Sequence, residues 1–143
     1  MIKSIFLSLL SIIFILNFNN VSAKNTYFEY GKKLYDDKNY NDSKFFFEKD
    51  IVFNPKSENS YLYLAKIFKE EEKDDLEENN LNTVLLLNPK NEEAIYLLAL
   101  LSIKKSNFTK ASELIATLTS VCEKFCGARV ELLEKLDNSA KSE

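Results

Sequence analysis

The side chains best suited to covalent chemistry in this 143-residue chain are its only two cysteines, Cys122 and Cys126. Redox centres of the thioredoxin type place two residues between their cysteines and lie on a βαβ scaffold, whereas three residues separate this pair. The spacing therefore favours a structural disulfide, and a thiol–disulfide redox protein of the cell envelope is the less favoured alternative. Two cysteines without a histidine cannot supply a familiar structural zinc site.

The rest of the composition leaves little material for catalysis. The chain has no histidine, which removes the commonest general base and the usual metal ligand. Its two glycines, Gly31 and Gly127, are too few for a phosphate-binding loop. Neighbouring carboxylates such as Asp36 and Asp37 point apart instead of facing each other across a substrate. The sequence therefore predicts a protein that is not an enzyme and that has no cofactor, no metal site and no small-molecule substrate.

The charge balance argues against a nucleic-acid partner. The chain carries 19 Lys and Arg residues against 22 Asp and Glu residues, a net charge of −3, and Arg129 is its single arginine. Nucleic-acid-binding proteins instead cluster Lys and Arg on one face. An acid-rich run at residues 70–78 is either a solvated helix face or a partner-binding patch, and the first interpretation is favoured because charged helix faces are common.

A repeat organises the chain. Two Asn-Pro-Lys triplets, 54–56 and 88–90, lie 34 residues apart, and the residues before each follow one spacing pattern. This is the period of the tetratricopeptide repeat, a helix–turn–helix unit, and the chain resembles that family over about residues 24–125. The matching positions are Tyr27, Tyr30, Gly31, Leu34, Ser43, Phe47 and Pro55 in the first unit, Tyr61, Leu64, Ala65, Phe68, Glu77, Leu81 and Pro89 in the second, and Ile95, Leu98, Ala99, Ser102, Ala111 and Ile115 in the third.

The resemblance implies an all-α fold, a short solenoid of about three helix-turn-helix repeats with a C-terminal capping helix. The expected bounds are 24–57, 58–91 and 92–125 for the repeats and 128–137 for the capping helix, one domain over 24–137 followed by a frayed tail at 138–143. Small residues such as Ala65 should lie where the two helices of a repeat cross, and each proline should end a second helix. Ser57 and Asn91 stand at helix N-cap positions. A generic helical bundle with accidental periodicity is the alternative.

Three positions depart from the family pattern. Asp50 occupies a site that is usually small and apolar, and Glu77 replaces a small residue, which allows the helix register there to slip by one or two residues. The third repeat has Glu123 where a proline is expected. We interpret a bridge between the two cysteines, together with Gly127, as the replacement. If that segment is helical, the cysteine Cα atoms lie about 6 Å apart, near the upper edge of disulfide range, and Gly127 supplies a left-handed helix stop.

Residues 1–23 have the pattern of a secretory signal peptide. Lys3 gives a positive N-terminal region, residues 5–16 are apolar apart from two serines, and residues 21–23 precede a cleavage point at Lys24. The apolar stretch is shorter than the about 20 residues that a transmembrane helix needs. We expect an exported protein, periplasmic if bacterial, with an uncleaved N-terminal membrane anchor as the alternative. An oxidising compartment also favours pairing of the cysteines.

In tetratricopeptide proteins the first helix of each repeat lines a concave surface that binds partners. The resemblance places three residues of each first helix in such a groove: Phe28, Lys32, Tyr35, Leu62, Lys66, Lys69, Tyr96, Leu100 and Ile103. Packing between neighbouring hairpins is the alternative role of the apolar ones. Lys32, Lys66 and Lys69 are expected to form a basic strip that selects an apolar segment carrying carboxylates. The predicted function is a non-enzymatic adaptor or scaffold that binds a protein or peptide, with a self-assembling structural subunit as the alternative.

Overall fold

The computed structural model describes residues 26–141, which fold into seven α-helices and contain no strand. The predicted signal peptide and the last two residues of the predicted tail lie outside the described residues. The all-α prediction is confirmed. The helices are α1 (Thr26–Asp36), α2 (Tyr40–Phe53), α3 (Glu58–Glu70), α4 (Asp74–Leu87), α5 (Glu92–Lys104), α6 (Phe108–Val121) and α7 (Ala128–Ala140).

The helices pack as three successive hairpins, α1 with α2, α3 with α4 and α5 with α6, and α7 packs on the last hairpin. Large buried side chains recur at 34-residue steps, because each hairpin covers the apolar face of the next. Phe47, Leu81 and Ile115 form one such series of buried residues. Leu132 on α7 is also buried, 34 residues after buried Leu98, so α7 continues the stack as a further first helix.

Small residues lie where paired helices come closest, as predicted. Gly31, Ala65 and Ala99 are all buried. A Cβ atom on Gly31 would lie 2.8 Å from Cε1 of Phe47, closer than such atoms pack. The Ser43 hydroxyl donates a 2.7 Å hydrogen bond to the carbonyl of Gly31 and so ties α2 to α1.

The turn inside each hairpin depends on one residue in the left-handed conformation. Lys38, Glu72 and Ser106, which are 34 residues apart, have φ angles of 59°, 55° and 54°. In the first of these turns the Asn39 N–H donates to the carbonyl of Leu34 at 2.8 Å, and the other two turns repeat this bond. Glycine is the residue that adopts this conformation most readily, and none of the three turns contains one.

The two predicted N-cap residues differ. The Asn91 side chain accepts a hydrogen bond from the Ala94 N–H at 2.9 Å, which confirms that N-cap, whereas Ser57 makes no side-chain capping bond. Buried polar side chains hold the turn at Ser57, between the first two hairpins. The Ser57 hydroxyl instead donates to that of Ser60, which donates to the Asp50 carboxylate at 2.6 Å. Ser60 therefore compensates for the buried acidic residue that departs from the family pattern.

Glu77 keeps the repeat register, so the shift of the helix register by one or two residues that the sequence allowed does not occur. It is buried at the position that buried Ser43 and Ala111 occupy in the neighbouring hairpins. Burial raises the pKa of its carboxyl from 4.5 to about 7; Lys69 opposes this rise and Asp74 adds to it. The second hairpin thus contains an acidic group that is half-protonated near neutral pH.

The segment between α6 and α7 corrects the sequence interpretation. Residues 122–127 form a non-helical turn after Val121, so the cysteines do not lie on a helix. Gly127 has a φ of −67°, in the right-handed region, and it precedes α7 instead of ending α6. No atom would lie within 4 Å of a Cβ added there, so the turn does not require glycine at this position.

The C-terminal helix is longer than predicted. α7 ends at Ala140 and not at residue 137, because helical hydrogen bonding continues. The Lys141 N–H still donates to the carbonyl of Asp137 at 3.2 Å. The helix therefore continues for three residues beyond the predicted bound.

Candidate partner-binding surface

The first helices of the hairpins are joined side by side by polar and aromatic contacts. Tyr63 of α3 packs against rings of α1. Lys66 Nζ of α3 lies 2.5 Å from a carboxylate oxygen of Glu93 on α5. The Tyr96 hydroxyl of α5 donates to the Glu131 carboxylate of α7 at 3.2 Å. We call the face made by α1, α3, α5 and α7 the first-helix surface, and all nine predicted groove residues lie on these helices.

Tyr63 is the centre of an aromatic cluster between α1 and α3. Its ring centroid lies 5.7 Å from that of Phe28 and 5.0 Å from that of Tyr35, both in edge-to-face contacts, and it stacks on buried Phe47 at 5.1 Å. The Lys66 ammonium lies 4.7 Å from the Tyr63 ring centroid. Phe28, Tyr35 and Tyr63 all remain partly exposed, so a binding partner can reach them.

Tyr63 was not among the nine predicted groove residues. The residues at the equivalent repeat positions are Glu29 and Leu97, so no repeated residue type marked the site. The available signal was its spacing of three residues from Lys66, which puts both side chains on one helix face.

Tyr35 keeps its proton over the physiological range. Burial raises the pKa of its hydroxyl to about 12, with further contributions from Tyr40 and Glu70. The residue can therefore donate a hydrogen bond to a partner but cannot act as a base.

The three groove lysines differ in their availability. Lys32 Nζ lies 2.7 Å from the Asp36 carboxylate, and this hydrogen bond raises the pKa of Lys32. Lys66 is paired with Glu93. Lys69 is exposed and has no ion-pair partner within residues 26–141. Two of the three charges are thus already balanced, and the basic strip is weaker than the sequence suggested.

Two predicted groove residues are part of the core. Leu62 and Ile103 are buried and pack in two different core clusters. A partner cannot reach them, because helix–helix packing covers the side of each first helix that faces the neighbouring hairpin. The structure therefore corrects the prediction for these two and supports the alternative role given for the apolar positions.

The first helix of the third hairpin, α5, is less exposed than expected, because α7 lies against it. The Tyr96 ring contacts that of Phe125 at 5.7 Å, and its hydroxyl is bound to Glu131. Leu100 borders a shallow depression shared with Lys135 and Asn138 of α7. The open part of the first-helix surface is therefore the stretch between α1 and α3.

Four of the seven acidic residues in the run at 70–78 form ion pairs within the described part of the chain. Glu78 carboxylate oxygens lie 2.7 Å from Lys105 Nζ and 2.6 Å from Lys110 Nζ. These hydrogen bonds lower the pKa of Glu78, and the bond from Lys105 contributes most. Asp74 pairs with Lys104 at 2.6 Å in the same way. The paired part of the run links the second hairpin to the third, whereas Glu70 and Glu72 take part in no ion pair within residues 26–141.

The two cysteines lie side by side in the turn before α7. The Cα atoms of Cys122 and Cys126 are 5.2 Å apart, within the range that a disulfide requires. The same turn is held independently, because the Glu92 carboxylate accepts bonds from the backbone N–H groups of Lys124 and Phe125 at 2.9 and 2.7 Å. These bonds lower the pKa of Glu92, and the bond from Phe125 contributes most.

Metal-binding clusters and membrane-spanning helices are both missing from residues 26–141. No group of three or more His, Cys, Asp or Glu side chains there is arranged to hold a metal ion. Within the same range no helix has both the length and the apolar character needed to cross a membrane.

Comparison with known proteins identifies the fold. No protein-family profile and no curated protein matches the sequence. The type III secretion chaperone SycD of Yersinia enterocolitica, solved with a peptide of the translocator YopD, has a TM-score of 0.74 at 14% identity, covering 87% of this chain and 100% of that one. A tetratricopeptide repeat protein of Parabacteroides merdae has a TM-score of 0.77 at 20% identity, covering 93% of this chain and 52% of that one.

The Arabidopsis OM64 tetratricopeptide domain is similar as well, with a TM-score of 0.73 at 18% identity over 84% of this chain and 98% of that domain. The chain spans about half the length of the Parabacteroides protein. It has the tetratricopeptide repeat fold, and the fold predicted from the 34-residue pattern is confirmed.

Proposed function

We propose that this chain is an exported, non-enzymatic interaction module that holds a segment of another protein on its first-helix surface. The observation that carries the proposal is the partly exposed cluster of Phe28, Tyr35 and Tyr63, with the Lys66 ammonium 4.7 Å from the Tyr63 ring centroid. Tyrosine is enriched in protein interfaces because its ring buries apolar atoms while its hydroxyl stays hydrogen-bonded.

The shape of the fold supports the same place. Stacked helical hairpins form an extended concave surface, and such surfaces are what these solenoids use for binding. α7 covers part of α5, so a bound segment would cross α1 and α3. SycD, which has the same fold, was solved in complex with a YopD peptide, and this supports a peptide as the kind of partner.

The charges of the surface favour a partner segment that is apolar and carries a carboxylate. Lys69 has no ion-pair partner within residues 26–141, although it attracts the buried Glu77 carboxyl, so it can bind a partner's carboxylate without breaking an ion pair. Lys32 must first release Asp36, which lies 2.7 Å away. We therefore expect Lys69 to contribute more than Lys32 and the affinity to fall with added salt.

Matched charge variants test this proposal. The protein is isolated together with its associated polypeptides from the cells that produce it, for Lys69→Glu, Tyr63→Ala and the control Lys90→Glu. Lys90 is exposed between the second and third hairpins and has no ion-pair partner within residues 26–141. We expect the first two variants to reduce retention about tenfold, equivalent to about 1.4 kcal/mol, and the control to retain the partner. Equal retention by all three would place the binding site elsewhere.

Export is the second part of the proposal, and the sequence pattern of residues 1–23 supports it. N-terminal sequencing of native protein should begin at Lys24. An intact Met1 in a membrane fraction would contradict cleavage and favour the membrane-anchored alternative.

A further inference from the structure

We propose that two copies of this chain pair through the first hairpin, around a two-fold axis beside α2. The outward face of this hairpin carries an aromatic surface, here called the hairpin-one patch, which consists of Tyr27, Tyr30, Phe45, Phe46, Val52 and Phe53. The exposed fractions of Tyr30, Phe45, Phe53 and Val52 are 55%, 57%, 62% and 74%. Contiguous apolar surface of this kind marks an interaction site more often than single exposed apolar residues do.

The rings of the patch form two groups in contact, and the Lys49 ammonium lies over one ring of each group. The ring centroids of Tyr27 and Phe53 are 5.5 Å apart, those of Tyr30 and Phe46 are 5.7 Å apart, and those of Phe45 and Phe46 are 5.5 Å apart. These contacts join α1 to α2 across the hairpin, so the two helices present one apolar surface.

Within residues 26–141, part of this surface lacks the covering neighbour that the repeat gives to the later hairpins. Leu64 and Leu98 occupy the position of Tyr30 in the second and third hairpins, where the preceding hairpin covers them to 4% and 2% exposure. Terminal units of repeat arrays need a polar outer face. On α1, Lys33 replaces buried Ile67 of the second hairpin, and Glu29 replaces Tyr63, which packs on the preceding hairpin, so both make the edge more polar. Pairing should therefore centre on α2, where the apolar side chains are most exposed.

A second copy is the occupant because the exposed face of α2 is complementary to itself. At 100° per residue, one face of about 120° contains Asp42, Phe45, Phe46, Lys49 and Val52. The two phenylalanines are central, with Asp42 three residues before the pair and Lys49 three residues after it. An antiparallel copy of α2 therefore places the phenylalanines on each other and each Asp42 opposite Lys49 of the partner subunit, which is the reciprocal contact of a two-fold interface.

The two charged side chains are available for that contact. Neither Asp42 nor Lys49 takes part in an ion pair within residues 26–141, and the Asp42 carboxylate accepts a hydrogen bond from the Asn39 side chain at 2.8 Å. The Lys49 ammonium instead lies 4.5 Å from the ring centroid of Tyr27 and 5.8 Å from that of Phe45, which holds it over the patch. A carboxylate supplied by a second copy completes its contacts.

This pairing is separate from the partner-binding surface. Phe28 and Tyr35 contact α3, whereas the patch faces away from the second hairpin, so a dimer leaves both first-helix surfaces open. Two linked surfaces would strengthen binding to a partner that has two binding segments.

Sedimentation equilibrium tests the pairing with protein processed from the whole chain by the producing cell. We expect twice the mass of one chain. Phe45→Glu should raise the dissociation constant of the dimer at least about tenfold, as expected for a central apolar contact. Leu86→Glu is the matched control, because Leu86 is 83% exposed on α4 at the position equivalent to Val52. It should leave the dimer unchanged.

A charge exchange tests the two-fold geometry itself. Asp42→Lys and Lys49→Asp should each weaken the dimer, and the double variant should restore it, with circular dichroism used to confirm that every variant is folded. A monomer at the highest concentration measured would overturn the proposal. So would a dimer that is insensitive to Phe45→Glu, or a double variant that remains as weak as the single ones.

Discussion

Replacing Glu77 by glutamine should stabilise the protein above neutral pH and have little effect in acid. The side chain is buried on α4, and burial raises the pKa of its carboxyl from 4.5 to about 7. Between these two pH values the folded state holds a proton that the unfolded state has released. The free energy of unfolding therefore falls as the pH rises through this window.

The magnitude follows from the two pKa values. One pH unit between them corresponds to about 1.4 kcal/mol, so a rise from 4.5 to about 7 means that ionised Glu77 costs about 3 kcal/mol above pH 7. Glutamine has nearly the same shape and no charge, but its amide must find hydrogen-bond partners in the same space. We expect a net gain of about 1–2 kcal/mol at pH 8, and no difference below the ordinary pKa of the carboxyl.

Urea unfolding followed by circular dichroism measures the effect at pH 8 and pH 4. Glu78→Gln is the contrasting control, because hydrogen bonds from Lys105 and Lys110 lower the pKa of Glu78. That variant should lose stability at pH 8, and its loss should shrink as the pH falls. A Glu77→Gln variant that is destabilised at pH 8, or whose effect does not depend on pH, would contradict this expectation. The first result would mean that attraction to Lys69 outweighs the cost of burying the charge, and the second that the two balance.

Three further predictions concern the backbone and the cysteines. Gly31→Ala should lower the free energy of unfolding by about 1–3 kcal/mol, because the Cβ of the new alanine would lie 2.8 Å from the Phe47 ring. Unchanged urea unfolding would contradict the close crossing of α1 and α2. Lys38→Gly should raise the melting temperature through a gain of about 0.5–1 kcal/mol, because Lys38 has a φ of 59°, and no gain would show that the turn is unstrained. Mass spectrometry without reductant should show the chain two hydrogens lighter than its dithiol form, because Cys122 and Cys126 are bridged, and reduction should cost little stability because the loop is short. Free thiols in freshly isolated protein would reject the bridge.

The hairpin architecture was predictable because each of its signals is local and repeats with one period. Gly31, Ala65 and Ala99 mark the crossings, and Pro55 and Pro89 follow the ends of second helices, so agreement among independent signals identified the fold. The buried acidic residues of the second helices were noticed as departures, but their surroundings depend on which neighbouring side chains reach them.

The details of the site depend on contacts between helices, which a single sequence does not determine. The rotation of α3 decides that Leu62 is buried while Tyr63 faces α1, although the two are neighbours. Lys66 pairs with Glu93 only because α5 lies beside α3. The position of the left-handed turn residue at Glu72 was hidden for another reason, since it lacks the glycine that usually marks such a turn.

The most direct test of partner binding on the first-helix surface is photo-crosslinking in the producing cell. A photoreactive residue replaces Tyr35, which faces the cluster between α1 and α3, or Leu86, which is exposed on α4. We expect a covalent adduct with another polypeptide from position 35, which is lost when Lys69→Glu is added, and no adduct from position 86. Adducts from position 86 alone would contradict this expectation.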